Sequence, residues 1–569
     1  MSAKKGEKSV LVSYEHGVSD IPLRGLTVGN LLKQTAASFP YSEALIVPYQ
    51  DVRWSYRELD TQVDCLAAGL IALGLTRGER IGVWAPNMVE WVVLQFATAK
   101  AGLILVNINP AYRLSELEYA LRQVEVSALV FVPSFKSSDY VAMLSELAPE
   151  MAGSVPGDLK SKNIPSLRWL ISLGDDPVPG ALRYGDVMER GDAVSRNKVD
   201  ELASRLQFDD PINIQFTSGT TGRPKAASLT HHNIVNNAYF TGLQMRLSDA
   251  DRMCIPVPMY HCFGMVLGTL CCVAHGAAMV FASAGFDATA AMEVTEAERC
   301  SVFHGVPTMF IAALDSPGFA DRDLSCLRTG IIAGAPCPAE LMTRIMEEMH
   351  MSQITIAYGM TETGPVSTQT AVDDPLHRMI ETVGRALPHT EIKIVDGDGL
   401  ITPRGTPGEL LTRGYCVMPK YWSDPEKTAK AIDEARWIAS GDIAVVDDEG
   451  FFQIVGRSKD MLIRGGENIF PREIEDLLYK HPAVEQVEVI GAPDEKYGEE
   501  VCAWIKLQDG HTVTAEEIRD FCKGKIAHFK IPRYVRFVTG FPMTITGKVQ
   551  KFVMREMMAK ELAEASNDV

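Results

Sequence analysis

The sequence predicts an α/β fold: a large N-terminal α/β domain of several subdomains with mainly parallel sheets, followed by a small α+β C-terminal domain. Three observations carry this expectation. Short apolar runs alternate with helical patterns through the first two thirds of the chain. Turn signals then become dense, and beyond Gly456 a compact α+β pattern begins. The chain has 569 residues, too many for one simple domain at roughly 100–200 residues each.

Each element follows from its local pattern. Residues 80–85 read as a strand, 90–101 as a helix ended by Gly102, and 103–106 as a strand. Residues 114–124 are helical and 128–132 form another strand. Repeated strand–helix–strand units imply parallel sheet with helices on its faces. Residues 212–216 read as a strand running straight into a Gly/Thr/Ser loop, and in open α/β sheets ligands sit beyond the carboxyl ends of strands. From 253 to 286 there is no Asp, Glu, Lys or Arg. A membrane span needs about 20 predominantly apolar residues. Here Pro256, Pro258, His261, Gly264, Gly268, His275 and Gly276 interrupt the run. It reads as a loop, a buried helix and a buried strand, so no integral membrane segment is expected.

The last third is built differently. Asp396-Gly-Asp-Gly399, Pro403-Arg-Gly405 and Pro407-Gly408 signal β-hairpins. A calcium loop at Asp396 and Asp398 is disfavoured, because Leu400 and Ile401 stand where such a loop needs a ligand and a glycine. Residues 471–479 form an amphipathic helix with Ile474, Leu477 and Leu478 on one face, and Pro471 suits its first turn. Residues 487–490 and 534–538 read as strands and 515–526 as a second helix. The pattern places one domain over 1–455 and another over 461–569, with the boundary at 456–460.

Charge and cysteine content exclude several classes. Lys plus Arg number 55 against 73 Asp plus Glu, a formal charge of −18. No nucleic acid partner is expected, because phosphate neutralisation needs clustered excess cations. A local positive pocket for an anionic substrate remains compatible with that balance. The 11 cysteines include no Cys-x-x-Cys pair, so neither a disulfide scaffold nor a zinc ribbon is suggested. A reducing compartment fits. The first ten residues have no apolar core and the last five are not a peroxisomal address. A cytoplasmic location is the expectation, with the mitochondrial matrix as its alternative.

The strongest local motif is Thr217-Ser218-Gly219-Thr220-Thr221-Gly222-Arg223-Pro224-Lys225. Two glycines allow a tight turn with exposed N–H groups, four hydroxyls add donors, and Lys225 adds positive charge. After a strand, such a loop is suited to phosphate oxygens. It lacks the Gly-Lys-Ser/Thr ending of a Walker A loop.

With six further motifs in order, the chain resembles the adenylate-forming superfamily of acyl-CoA synthetases, beetle luciferases and peptide-synthetase adenylation domains. The motifs are Tyr260-His-Cys-Phe-Gly264, Gly334-Ala335-Pro336, Tyr358-Gly-Met-Thr-Glu362, Ser440-Gly-Asp442, Gly456-Arg-Ser-Lys-Asp460 running on to Arg464-Gly-Gly-Glu-Asn468, and Thr546-Gly-Lys548. The resemblance runs from about Gly25 to Glu561. It is strongest to the medium-chain acyl-CoA synthetases, through Asp210–Phe216, Arg413–Met418 and Ala527–Pro532.

The resemblance implies a two-step ligase using ATP, Mg2+ and CoA, with a small-molecule carboxylic acid as substrate. The acid attacks the α-phosphate of ATP, and the CoA thiol then displaces AMP. Thr217–Lys225 would hold the β- and γ-phosphates. Gly334, Ala335 and Pro336 would line the adenine, with Tyr358 on its face. Thr361 would contact the α-phosphate and Glu362 would hold Mg2+. Asp442 would accept from both ribose hydroxyls, with Arg457 assisting. Ser440 stands where most relatives carry Thr. Lys548 matches the C-terminal catalytic lysine, cationic at neutral pH with an ordinary pKa of about 10.4. The small domain would be mobile about a hinge at 456–460 centred on Lys459. Gly465 and Gly466 would let the pantetheine arm pass close to backbone.

Other residues keep two readings. His261, with Phe263, borders the carboxylate pocket in relatives, yet His261 also reads as a packed structural histidine. Lys523, Lys525, Lys530 and Arg533 are either CoA-phosphate contacts or solvated basic side chains. Gly305–Phe310 is expected to line the acyl side. Three alternatives to a fatty acid–CoA ligase stand beside it. They are a ligase for aromatic or branched acids, transfer to a carrier protein, and a non-catalytic nucleotide-binding module.

Overall fold

The computed structural model describes residues 11–217, 224–335, 337–464, 467–494, 496–543 and 549–567. The chain forms two compact units. The larger runs over His16–Ile392 and also takes Thr412–Ile438; the other holds the chain up to Glu15, Lys393–Leu411 and the chain from Ala439 onward. The sequence pattern assigns all of 393–455 to the first domain, whereas packing divides that stretch between the units. The reason lies in the strand Ile438–Val446, which is hydrogen-bonded to Gly408–Gly414 on one side and to Phe452–Arg457 on the other.

Two large sheets build the larger unit. Among the described residues, the first has eight strands in the order Ala181–Arg183, Trp169–Ser172, Val126–Phe131, Arg80–Trp84, Ile104–Asn107, Pro211–Thr217, Lys225–Thr230 and Lys420–Tyr421. Its pairs are parallel as far as Pro211–Thr217 and antiparallel beyond. The strands expected near 80, 103, 128 and 212 are therefore neighbours in one sheet. The helix Val89–Lys100 between two of them is buried at every position but Glu90, as an all-round apolar helix must be.

The second sheet has a parallel centre from Glu43–Val47 through Ala278–Val280, Arg252–Cys254, Val302–Phe303 and Thr329–Ala333 to Gln353–Gly359. Antiparallel strands flank it at both edges. The charge-free run contributes two of these strands. Between them lie the turn Cys262–Gly264, a π-helical segment Met265–Leu270 and the helix Cys271–His275, closed by Gly276 at φ 78°. A left-handed residue just past a helix is a glycine's position. Among the described residues no helix is long and apolar enough to cross a membrane. All 11 cysteines lie among the described residues and none forms a disulfide.

The smaller unit is α+β. The turn after Val395 is closed by Asp396, whose Oδ1 accepts from the backbone N–H of Asp398 at 3.0 Å and of Leu400 at 2.9 Å. That carboxylate is satisfied by its own turn, as a hairpin reading requires. Further on, Val484–Asp494 and Gly498–Leu507 pair antiparallel, and Tyr534–Phe537 joins the second of them in parallel. The helix Pro471–Leu478 buries Ile474 and Leu478 against this sheet's core, with Leu477 partly buried beside them. The helix Lys551–Asn567 packs on Val484–Asp494.

Candidate active site

The Thr217–Lys225 motif begins and ends on facing residues. Thr217 closes the strand Pro211–Thr217, Lys225 opens Lys225–Thr230, and the two lie opposite each other in the antiparallel register. The residues between them, Ser218, Gly219, Thr220, Thr221, Gly222 and Arg223, lie outside the described residues, as do Pro336, Gly465, Gly466 and Lys548. Pro224 presents its carbonyl to the Tyr119 hydroxyl at 3.1 Å. The Lys225 ammonium stands 5.0 Å from the centroid of the Tyr421 ring, within cation–π range.

Glu362 lies in the short turn Thr361–Thr363, just past the strand Gln353–Gly359. The turn is stitched by Thr363, whose hydroxyl accepts from the N–H of Met360 at 3.1 Å and donates to the carbonyl of Pro365 at 3.0 Å. Glu362 is only 8% exposed. Its Oε1 accepts from the Thr217 hydroxyl at 3.0 Å and from the Tyr421 hydroxyl at 2.8 Å. Its carbonyl accepts from the N–H of Met418 at 2.9 Å. Thr217 and Tyr421 belong to the eight-stranded sheet, whereas Glu362 follows a strand of the other. The carboxyl edges of both sheets therefore meet at one carboxylate. Burial, and next the charge of Glu362, push the Tyr421 phenol far up, so it stays a donor.

This arrangement fits Mg2+. Among the described residues Oε2 of Glu362 accepts no hydrogen bond, and a hard cation takes oxygen ligands. The described residues contain no group of three or more His, Cys, Asp or Glu able to hold a metal. The ion would therefore complete its shell with nucleotide oxygens and water, as Mg2+ commonly does.

Thr361 is 7% exposed, and its hydroxyl lies 3.6 Å from the Cys262 sulfur. His261 caps the turn Cys262–Gly264: its Nδ1 accepts from the N–H of Phe263 at 3.1 Å. A neutral ring accepting at Nδ1 carries its proton on Nε2. Phe263 is buried, and its ring lies 5.7 Å from that of His304. His304 escapes motif reading because it belongs to none of the family motifs. The available signal is its place between the strand Val302–Phe303 and Gly305. Its Nδ1 accepts from the N–H of Ile331 at 3.1 Å and its Nε2 lies 3.1 Å from the carbonyl of Leu267. Burial pushes the imidazole down to about 4.

The two motifs expected to hold the adenine share one edge. Ala333 pairs with Ala357 in parallel register, so Gly334 and Tyr358 each stand one step beyond a paired position. Gly334 has φ 87°, a conformation other residues rarely adopt. Gly334 and Ala335 are exposed and Tyr358 is half-buried.

The smaller unit holds the remaining pair. Asp442 and Arg457 face each other across the strands Ile438–Val446 and Phe452–Arg457, with Arg457 Nε donating to Asp442 Oδ1 at 2.9 Å. The Arg457 side chain is 67% exposed and that of Asp442 10%. Ser440 accepts from the N–H of Asp442 at 3.0 Å and donates to the carbonyl of Leu410 at 2.7 Å. Lys459 is exposed in a turn closed by hydrogen bonds from Asp460 and Met461 to the carbonyl of Arg457. The four basic candidates for CoA all have protein neighbours. Lys523 pairs with Asp520 at 2.5 Å, Lys530 with Glu473, and Arg533 with Asp494 at 3.0 Å; Lys525 covers the Phe521 ring at 3.3 Å.

Comparison with known proteins shows the family. The family described as AMP-binding enzyme matches residues 32–422, and its C-terminal domain matches 473–548. The chain is 48% identical over 557 residues to the mitochondrial medium-chain acyl-CoA ligase ACSF2 of Danio rerio, covering 97% of this chain and 92% of that one. It is 46% identical over 559 residues to ACSF2 of Homo sapiens, covering 97% and 90%. Among solved structures, the anthranilate CoA ligase AuaEII in complex with anthranoyl-AMP superposes with a TM-score of 0.83 at 27% identity, covering 96% of this chain and 99% of that one. ATP-bound MatB from Rhodopseudomonas palustris gives 0.80 at 28% identity, covering 94% and 99%. With a carboxylate braced between two sheet edges and matches spanning both parts of the sequence, the chain belongs to the adenylate-forming family of AMP-binding enzymes.

Proposed function

We propose that the protein is an ATP-dependent ligase that joins a medium-chain fatty acid to CoA through an acyl-adenylate, releasing AMP and pyrophosphate. The observation that carries this reading is Glu362, held by Thr217 and Tyr421 beside the ends of the phosphate-loop motif. In the first step a carboxylate oxygen of the acid attacks the α-phosphorus and the bond to pyrophosphate breaks. Two anions must approach, so fixed positive charge is needed where charge builds. Lys225 and Lys548 supply it, the first toward the β- and γ-phosphates and the second toward the α-phosphate. Glu362 would hold Mg2+, which when bound would neutralise phosphate charge. Thr361 contacts the α-phosphate, Gly334, Ala335 and Pro336 line the adenine, Tyr358 covers its face, and Asp442 accepts from the ribose with Arg457 beside it.

In the second step the CoA sulfur attacks the acyl carbon. The bond to the AMP oxygen breaks and the thiol proton leaves. One pocket does both steps only if its groups are exchanged between them. A hinge at 456–460 serves this, with Lys459 rotating, the domain 461–569 moving, and Gly465 and Gly466 flanking the pantetheine arm. His261 and Phe263 form the wall of the acyl pocket. The capping bond from Phe263 supports a fixed wall over a proton-transferring base, since the attacking acid is already ionised.

The relatives' names support medium chain length and a mitochondrial location, of which the matrix is the compartment proposed; cysteines outside any disulfide fit the matrix and the cytosol alike. One structural neighbour is named an anthranilate CoA ligase, which favours aromatic acids as the second reading. Incubation with Mg-ATP, CoA and a graded panel of carboxylic acids, read as thioesters by mass spectrometry, separates the two. The expected result is a maximum among C6–C12 fatty acids. A maximum at aromatic acids overturns the medium-chain reading, and AMP without thioester points to an acceptor other than CoA.

A further inference from the structure

Lys551 opens the helix Lys551–Asn567, where the helix dipole disfavours a cation. It is held there by two carboxylates of the same unit. Its ammonium lies 2.5 Å from Glu475 Oε1 and 3.1 Å from Glu488 Oε2, and donates to the carbonyl of Val489 at 3.3 Å. Those contacts use the three donors an ammonium has. Glu475 Oε1 also accepts from the N–H of Val489 at 2.8 Å, so helix Pro471–Leu478, strand Val484–Asp494 and Lys551 are tied at one point. The three side chains are 17%, 14% and 20% exposed. Burial opposes the charge on Lys551, but Glu475 and Glu488 outweigh it and hold the ammonium above its ordinary range.

The clamp stands at the exit of the segment that carries Lys548. Met543 and Val549 form an antiparallel bridge, and the N–H of Gln550 donates to the carbonyl of Pro542 at 2.8 Å. Two residues after that bridge, Lys551 is locked to the sheet. We propose that Lys551 is a positioning residue for adenylation: its clamp on Glu475 and Glu488 fixes the chain at Val549–Lys551, directly after Lys548 in the sequence. This rests on the reading of Lys548 as the adenylating lysine. A charge acting across a bond-making distance is sensitive to its anchor, and a misplacement of about 1 Å costs on the order of 100-fold in rate.

The test compares Lys551→Met, Lys551→Arg, Glu488→Gln and Lys548→Ala in the full chain. Pyrophosphate release reports adenylation, and thioester formation from supplied acyl-AMP reports the second step in the same preparations. Lys551→Met is expected to lower adenylation about 10- to 100-fold while the second step stays within about twofold, which also verifies the fold. Lys551→Arg restores most of the lost rate, and Glu488→Gln shows the same selectivity at smaller size. Equal loss of both steps, or no loss in either, overturns the clamp. If Lys551→Met does not fold, Lys551→Arg and Glu488→Gln decide: an unaltered ratio of the two steps in Glu488→Gln overturns it. Adenylation that survives in Lys548→Ala removes the reading of Lys548. Its loss there with normal adenylation in Lys551→Met removes the clamp alone.

Discussion

The Tyr421 hydroxyl donates to Glu362 Oε1 at 2.8 Å across 59 residues of sequence. With Thr217 on the same oxygen at 3.0 Å, it fixes which edge of the carboxylate remains for a cation. Thr217 and Glu362 belong to recognisable motifs, whereas Tyr421 does not. It stands on the two-residue strand Lys420–Tyr421 at the edge of the eight-stranded sheet, and its ring also faces the Lys225 ammonium.

Removing the phenol hydroxyl should therefore act through Mg2+. A hydrogen bond to a charged group contributes about 1.5–3 kcal/mol, so Tyr421→Phe is expected to slow adenylation roughly 10-fold or more at limiting Mg2+, with partial recovery at high Mg2+. Glu362→Gln should lose more and recover less, because the ligand charge itself is gone. Pyrophosphate exchange measured across a Mg2+ titration checks both. Identical Mg2+ dependence in Tyr421→Phe and the parent would separate the phenol from the metal.

Asp442 and Arg457 allow the proposed ribose contact to be tested apart from stability. The Asp442 side chain is 10% exposed and that of Arg457 67%, and an exposed ion pair contributes about 0–1 kcal/mol. Arg457→Ala should leave the melting temperature nearly unchanged. Asp442→Asn should raise KM for ATP at least about 10-fold, since a charged acceptor for the ribose hydroxyls is lost. Titration of ATP at saturating acid measures the second; an unchanged KM would move the ribose elsewhere.

How far the sequence discloses this site depends on the range of each contact. The parallel strands are local patterns, and they lie where the sequence places them. Asp396 and Asp398 are legible for the same reason: a carboxylate bonding N–H groups two and four residues on is a local event. Tyr421, His304 and Lys551 are not legible, because each acquires its role from partners brought by the fold. The π-helical turn Met265–Leu270 is hidden in a uniformly apolar run, where periodicity gives no phase. The split of 393–455 between two units also escapes, since it follows from the pairing of strands distant in sequence.

Lys459 provides a backbone test of the proposed exchange between the two steps. Its side chain is exposed, and among the described residues no backbone hydrogen bond engages its N–H. Proline at 459 removes no such donor but locks φ near −65°. Lys459→Pro is expected to keep adenylation within a few-fold and to slow thioester formation from supplied acyl-AMP by at least about 10-fold. Stopped-flow measurement of the two half-reactions reads the ratio, and unchanged thioester formation would remove the hinge from this residue.

Acid stability gives a last test, and it concerns three buried imidazoles. Burial holds His304 and His275 down to about 4 and His231 to about 3, against 6.5 for an unconstrained imidazole. In the folded chain these rings stay neutral while the unfolded chain protonates them. Their contribution to stability is therefore complete above about pH 6.5. It is lost as pH falls toward 4, because the unfolded state binds more protons throughout that window. Each ring adds a slope of at most about 1.4 kcal/mol per pH unit. His304→Gln keeps a hydrogen-bonding side chain between Ile331 and Leu267 but removes one titrating group. The gap in denaturation midpoint between parent and variant should narrow from pH 7 to pH 5. A gap that stays constant or widens would mean that His304 is already charged in the folded protein, and that the bond from the N–H of Ile331 to its Nδ1 does not persist in solution.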